Sequence, residues 1–313
     1  MQHGSVLNPS SALATPIWHL FWIVGTVMAV VFALVTILVL LACIRFRSKK
    51  DAPTPQQRYG RAKLEIAWTV APFLVLLFIF VVTIRAMQAS DPTPSPGEQP
   101  DLVIIAHQWW WEAHYPGANV IAANEIHIPV GERWLVRLES ADVIHDWWVA
   151  ALGPKMDAIP GHPNFFWLEA DSIGHYSGTC AEYCGAEHAG MRILVIAQSA
   201  NQFAAWEKLQ REQAPGASNG GGDAEEGAKL FQQLTCASCH AITGISENVQ
   251  VGPDLTHVAG RETLAAGVIE NSPENLKRWL MNPQAVKPGS NMPNFELTVK
   301  QVDDLAAYLE TLK

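Results

Sequence analysis

Cys180-Ala181-Glu182-Tyr183-Cys184-Gly185-Ala186-Glu187-His188-Ala189-Gly190-Met191 brings two thiols, an imidazole and a thioether into one short stretch. Soft sulfur donors beside imidazole suit copper, and single-copper electron carriers use two His, one Cys and a weak axial Met on a β-sandwich. In that arrangement one histidine comes from a distant strand and the other three ligands share a loop. This stretch follows the same logic with one extra thiol. Two thiolates four residues apart can bridge two coppers, each capped by one imidazole. His188 is one cap, and the second must lie elsewhere in the chain. His145, in Val143-Ile144-His145-Asp146-Trp147, is the leading candidate, with His107, His114, His127, His162 and His175 as alternatives.

The surrounding sequence supplies the expected scaffold. Residues 101–197 consist of short apolar runs such as Leu102-Val103-Ile104-Ile105, Trp134-Leu135-Val136-Arg137-Leu138 and Arg192-Ile193-Leu194-Val195-Ile196. Pro116-Gly117, Gly153-Pro154 and Pro160-Gly161 punctuate them, as in a small all-β sandwich or barrel. A Pro-rich connector over 91–100 precedes this region. A helix over 201–213, apolar at Phe203 and Trp206, follows it.

Further toward the N-terminus, residues 17–44 and 66–84 contain no Asp, Glu, Lys or Arg. Both are long enough to span a bilayer, which takes roughly 20 apolar residues. Pro72 in the second is tolerated in a membrane helix. The segment between them carries Arg45, Arg47, Lys49, Lys50, Arg58, Arg61 and Lys63, whereas no Lys or Arg precedes the first span. Positive charge therefore puts this loop in the cytoplasm and everything from Met87 onward on the outer, oxidising side. Cys43 reads as a membrane-facing residue. It is not a lipoprotein cleavage site, because the positive charges follow the apolar run.

Formal charge is distributed unevenly: +6 over residues 1–89, −10 over 90–215 and −5 over 216–313. An acidic exterior disfavours nucleic acid and steers a basic protein partner.

Past the Ala- and Gly-rich stretch 214–222, which reads as a flexible linker, helical patterns return over 225–234, 273–281 and 298–312. Cys236-Ala237-Ser238-Cys239-His240 is a C-x-x-C-H run, the pattern of c-type haem attachment. Each thiol can bond a haem vinyl group and His240 can bind the iron. A zinc site would need further Cys or a paired His, and this region offers only His257. A sixth ligand could come from Met292, Met281 or His257. Met292 sits in a loop before the last helix, Met281 reads as core packing, and His257 as a loop histidine.

Three segments resemble known families. Residues 223–313 are similar to class I cytochromes c through C-x-x-C-H, Gly252-Pro253-Asp254-Leu255 and Met292-Pro293. The resemblance implies an all-α domain in which Pro253 orients His240 and Arg261 and Trp279 lie near the haem propionates. Residues 101–197 resemble the soluble domain of cytochrome c oxidase subunit II through His107-Gln108-Trp109-Trp110-Trp111, Val143-Ile144-His145, Asp157-Ala158-Ile159-Pro160-Gly161 and the loop quoted above. That family holds a dinuclear CuA centre in a Greek-key cupredoxin barrel.

The second resemblance implies that His145 and His188 are imidazole ligands, Cys180 and Cys184 bridging thiolates, and Met191 a weak thioether ligand. Glu182 would bind through its carbonyl, its carboxylate reaching a magnesium site shared with the catalytic subunit. A disulfide between the two cysteines, common on the oxidising side, would not explain why Glu182, His188 and Met191 also match.

Trp109 matches the position where electrons enter the copper, although the family's middle residue is usually Tyr where Trp110 stands. Lys63-Leu64-Glu65-Ile66-Ala67-Trp68-Thr69 resembles the start of the family's second membrane helix, where Glu65 would mark the mouth of a proton channel. As a bare residue Glu65 is a charged helix-start residue favoured by the dipole.

The expected organisation is a transmembrane helical hairpin (1–89), a cupredoxin domain (90–213), a flexible linker (214–222) and a cytochrome c domain (223–313). The resemblance implies a bacterial cytoplasmic-membrane protein whose copper and haem domains face outward. Its partners would be catalytic subunit I and other oxidase subunits, a donor cytochrome or other redox protein, and lipid. Electrons would pass from donor to haem c, to CuA, to a catalytic subunit that reduces O2 to water, with proton translocation. The competing readings are a nitric oxide reductase subunit with CuA, a membrane-tethered carrier without an enzyme partner, and a quinol-oxidase subunit. In the last the copper ligands are typically lost, and here they are intact.

Overall fold

The computed structural model describes residues 5–47, 56, 60–212, 223–246, 249 and 251–313. Lys49, Lys50, Arg58 and the expected linker 214–222 lie outside the described residues. The chain divides into two compact units, Thr15–Ser90 and a larger one formed by Met1–Ala14 with Asp91–Lys313.

The smaller unit is two helices, α1 (Thr15–Arg45) and α2 (Ala62–Ser90), of 31 and 29 residues. At 1.5 Å per residue each is about 45 Å long, more than a bilayer's hydrocarbon core of about 30 Å. Both extend beyond the apolar runs 17–44 and 66–84. Their side chains are apolar all round and almost wholly exposed, the pattern of a helix whose solvent is lipid. Pro72 lies inside α2.

In the larger unit, ten strands form two five-stranded sheets. One runs in the order β3 (Val120–Ala123), β2 (Trp110–Tyr115), β1 (Leu102–His107), β5 (Trp134–Ser140), β8 (Asn164–Leu168). The other runs β4 (Glu125–Pro129), β10 (Arg192–Gln198), β9 (Gly174–Cys180), β6 (His145–Trp148), β7 (Met156–Ala158). The chain crosses repeatedly between sheets, so β1 lies parallel to β5 and β4 parallel to β10. Alternation along β1 sends Leu102, Ile104 and Ala106 inward against Trp111, Trp147 and Tyr176. The result is a cupredoxin-like sandwich.

Two additions close the sandwich. The N-terminal segment packs on it through Ser10 N–H to the Ala151 carbonyl (2.8 Å) and the Ser11 hydroxyl to the Leu152 carbonyl (2.6 Å), burying Leu13 completely. The helix α3 (Ala200–Arg211) starts at a capping box of Ser199 and Gln202. It lays Phe203 and Trp206 against Tyr115 and Trp134.

The C-terminal region is built on α4 (Ala224–Gln233), α5 (Pro273–Met281), α6 (Pro283–Val286) and α7 (Val299–Leu309). Val302, Leu305, Ala306 and Leu309 form the buried face of α7, as the spacing predicts. Contrary to an all-helical expectation, a two-residue antiparallel pair, β11 (Thr263–Leu264) with β12 (Ile269–Glu270), interrupts the helices. Where α4 crosses α7, a Cβ on Gly227 would meet the Asp304 carbonyl oxygen and lie 2.7 Å from Tyr308 Cβ. Backbone cannot yield there as a side-chain tip can. Gly227→Ala is therefore expected to destabilise this region by about 2–3 kcal/mol, read as a lower denaturation midpoint of the C-terminal domain.

Candidate metal centre

β6 and β9 are neighbours, with Trp147 opposite Cys180, so the start of one strand and the end of the other bring His145 beside Cys180. The chain then loops out and returns into β10, closed by Cys180 N–H to the Met191 carbonyl (2.9 Å). Gln108 Nε2 (2.6 Å) and Trp109 Nε1 (3.0 Å) both donate to the Cys184 carbonyl and hold the loop against β1. Gly185 takes φ +117°, and an added Cβ would sit 3.0 Å from both side chains, so only glycine fits this clamp.

The donor atoms converge. Cys180 Sγ lies 3.8 Å from Cys184 Sγ, 3.9 Å from His145 Nδ1 and 3.3 Å from the Glu182 carbonyl oxygen. Cys184 Sγ lies 3.6 Å from His188 Nδ1 and 3.9 Å from Met191 Sδ. Two donors bound to one ion at 2.0–2.3 Å are separated by at most about 4.6 Å, and these five distances meet that test. His145, Cys180, Cys184 and Met191 are buried, while the Glu182 side chain is exposed. The two cysteines are free thiols.

The His145 imidazole is aimed. His145 Nε2 pairs with Asp142 Oδ1 at 2.8 Å, which leaves Nδ1 facing sulfur. The Cys180 thiol is pushed down to about 3, first by its hydrogen bond from Cys184 and then by His145 against the opposing effect of burial. Cys184 is pushed up because Cys180 already holds the negative charge. Bound cations would draw the second proton off as well.

The other candidate histidines are engaged elsewhere. His107 and His114 share the Glu112 carboxylate, which they hold down at about 2 against the upward pull of burial. His127 meets Gln198 and stacks on Trp206, His175 pairs with Glu262, and His162 is exposed. Glu65 occupies the first turn of α2, exposed.

A second site lies in the C-terminal domain: a cleft of about 350 Å³ lined by Cys236, Cys239, His240, Arg261, Trp279 and Met292 among others. Cys236 starts a tight turn that brings His240 N–H to its carbonyl at 3.0 Å. His240 Nδ1 donates to the Pro253 carbonyl at 2.8 Å, so the lone pair rests on Nε2. Burial pushes this imidazole down and keeps it neutral, as a ligand must be. Gly252 is required, since a Cβ there would lie 2.6 Å from His240 Cε1. Two thiols, an imidazole with a free Nε2 and a thioether in one cleft fit a covalently attached haem.

The competing ligands do not share this cleft. His257 Nδ1 bonds the Lys313 carbonyl (2.7 Å), and Met281 is 37 % exposed, not core. The cleft has a further wall that sequence reasoning left out: Gln108, Trp109 and Trp110 of the β-sandwich line it together with Lys287.

Three stretches of the chain match known families. Residues 3–85 match the family described as cytochrome c oxidase subunit II, transmembrane domain. Residues 118–198 match its periplasmic domain, and residues 224–313 match cytochrome c. Cytochrome c oxidase subunit 2 of Alkalihalophilus pseudofirmus is 35 % identical, over 99 % of this chain and 91 % of that protein. Its counterpart in Bacillus subtilis is 30 % identical over 99 % and 92 %. The crystal structure of the periplasmic domain of subunit II from Bradyrhizobium japonicum is 32 % identical, covering 36 % of this chain and 96 % of that one, with a TM-score of 0.35. A membrane hairpin, a cupredoxin-like sandwich and a haem-binding motif in one chain thus have a single source: this protein belongs to the cytochrome c oxidase subunit II family, in a form that carries a cytochrome c domain at its C-terminal end.

Proposed function

We propose that this chain is the subunit through which electrons enter a respiratory haem–copper oxidase, passing from a donor through haem c and a CuA pair to a catalytic subunit that reduces O2 to water and translocates protons. The convergence of two sulfurs, two imidazole nitrogens, a thioether and a carbonyl within 3.3–3.9 Å links carries the reading. His145 and His188 are assigned as imidazole ligands, Cys180 and Cys184 as bridging thiolates, Met191 as thioether ligand and Glu182 as carbonyl ligand. Cys236 and Cys239 would attach the haem, and His240 and Met292 would bind its iron. When bound, the two groups supply one-electron carriers, and His/Met ligation raises the haem potential.

The protein's part is to hold those ligands still and dry. Asp142 and the Pro253 carbonyl fix the tautomers of His145 and His240. Gln108 and Trp109 clamp the copper loop, which supports Trp109 as the residue through which electrons reach it. Glu65 is assigned to the mouth of a proton channel in subunit I, and the Glu182 carboxylate to a magnesium site shared with that subunit.

Residues 1–89 are assigned to the membrane hairpin, 90–213 to the copper domain and 223–313 to the haem domain. Both redox domains lie outside a bacterial cytoplasmic membrane, with lipid, subunit I, other oxidase subunits and a donor protein as partners. Residues before α1 and after α2 belong to one compact unit, which supports an even number of crossings.

The purified complex is expected to hold two coppers and one covalent haem in this chain, and to consume O2 with a reduced donor. Consumption of nitric oxide without O2 uptake would assign the chain to a reductase instead. Purification without a haem–copper subunit would make it a tethered carrier.

A further inference from the structure

Where the haem domain meets the sandwich, a small apolar cluster of Trp110, Ala123 and Ala266 draws residues from both. A charged side chain lies on each flank, and each is only 4 % exposed. On one side the Glu125 carboxylate, from β4, accepts the backbone N–H groups of Glu262 (3.0 Å) and Thr263 (2.7 Å) and the Thr263 hydroxyl (2.7 Å). On the other, Lys287 Nζ donates to the Trp109 carbonyl (2.9 Å) and to the Ala265 carbonyl of its own domain (3.2 Å). Asn291 Nδ2 to the Gln108 carbonyl (2.9 Å) and Arg192 N–H to the Ala266 carbonyl (3.2 Å) complete the seam.

Glu and Lys are almost never buried to this degree unless paired. Opposite charge stands near each, Arg261 for Glu125 and Glu187 for Lys287, but the hydrogen bonds come from other groups, and those that cross the seam run from Glu125 to Glu262 and Thr263 and from Lys287 to the Trp109 carbonyl. Apart, both domains would keep these charges hydrated. Docked in register, every hydrogen bond is made. Docked a few ångströms out of register, a buried charge loses its partners, the costly case. The contact therefore tolerates one placement, unlike an apolar face that can slide.

That placement bears on the copper loop. Trp109, whose carbonyl Lys287 grips, gives its indole N–H to the Cys184 carbonyl and also lines the haem cleft. Two consecutive hydrogen bonds thus join a loop of the haem domain to a bridging cysteine.

We propose that Lys287 and Glu125 form a two-point latch that holds the haem domain in one register on the sandwich, with Lys287 a positioning residue for transfer from haem to copper. The redox half of this proposal rests on the function proposed above: one electron leaves ferrous haem, which is oxidised, and reduces the copper pair, with no proton or atom exchanged. The latch also covers the Trp109 side of the sandwich with a built-in donor, so an external donor docks on the haem domain.

The test uses the intact complex with Lys287→Met and, separately, Glu125→Gln. Loss of a hydrogen bond to a buried charge is expected to lower the docked-to-undocked ratio about tenfold. Lys287→Met is expected to slow haem-to-copper transfer after flash reduction by up to that factor, with unchanged haem absorption and copper paramagnetic resonance. Both variants are expected to speed hydrogen exchange at the amides of Glu262 and Thr263 about tenfold. Unchanged exchange in both variants overturns the latch. So does slowed transfer accompanied by an altered copper or haem spectrum, which would mean that Lys287 acts on a site rather than on docking. Should Lys287→Met fail to accumulate, Lys287→Gln takes its place beside Glu125→Gln, with the same expected changes. The exchange measurement does not depend on metal, so a chain lacking copper would sink the proposed function and still leave the latch open to disproof.

Discussion

Cys184→Ser is expected to empty the copper site while the haem domain stays reducible. The Cys184 sulfur is the centre of its cluster, within 3.9 Å of Cys180 Sγ, His188 Nδ1 and Met191 Sδ. A serine hydroxyl is a hard donor, stays protonated at neutral pH and reaches less far than sulfur, so it cannot bridge two soft ions. Outer-shell changes alone cost metal sites 10–100-fold in affinity, and loss of a bridging ligand is expected to exceed about 100-fold. Elemental analysis should fall from two coppers toward none, and the delocalised copper resonance should vanish. The C-terminal domain has its own core, so its haem spectrum should persist. Survival of the copper signal would refute the bridging assignment.

Met292→Ala is expected to lower the haem c potential by on the order of 0.1–0.3 V, within the ~0.8 V that axial ligands command. Thioether sulfur favours ferrous iron, and its loss leaves water or a stray base in its place. The Met292 loop is held by Gln284, whose Nε2 donates to the Met292 carbonyl at 2.9 Å. Electron uptake from a donor of fixed potential should drop steeply. A redox titration that returned the parental value would shift the sixth-ligand role to Met281 or His257, neither of which lines the cleft.

The elements that determine this architecture were legible because their signals are local. Apolar runs, turn punctuation, C-x-x-C-H and the ligand loop each lie within a few dozen residues, and the helices at 273–281 and over 299–309 formed where periodicity put them. The choice of His145 among six histidines was not local. It depends on β6 pairing with β9, a relation between residues more than thirty positions apart, and only the family resemblance singled it out.

The seam between domains gave no signal at all. Lys287 stands in Val286-Lys287-Pro288-Gly289 and reads as a solvated loop charge, and Glu125 as the polar start of a strand. Their burial exists only once two separately encoded domains meet. Met281 departs from the core role its helix suggests for the opposite reason: it falls in an amphipathic helix but at its last residue, where the core has already turned away.

The buried N-terminal segment has a consequence for how the molecule is made. Leu13 and the two serines before it complete a domain whose strands are synthesised about a hundred residues later, after two hydrophobic stops. The sandwich cannot finish folding until the segment before α1 has reached the strands it packs on. Metal loading, which needs the finished ligand cage, would therefore wait on placement of the two hydrophobic helices between them, and a fault around Leu13 would surface as a copper deficiency far down the chain.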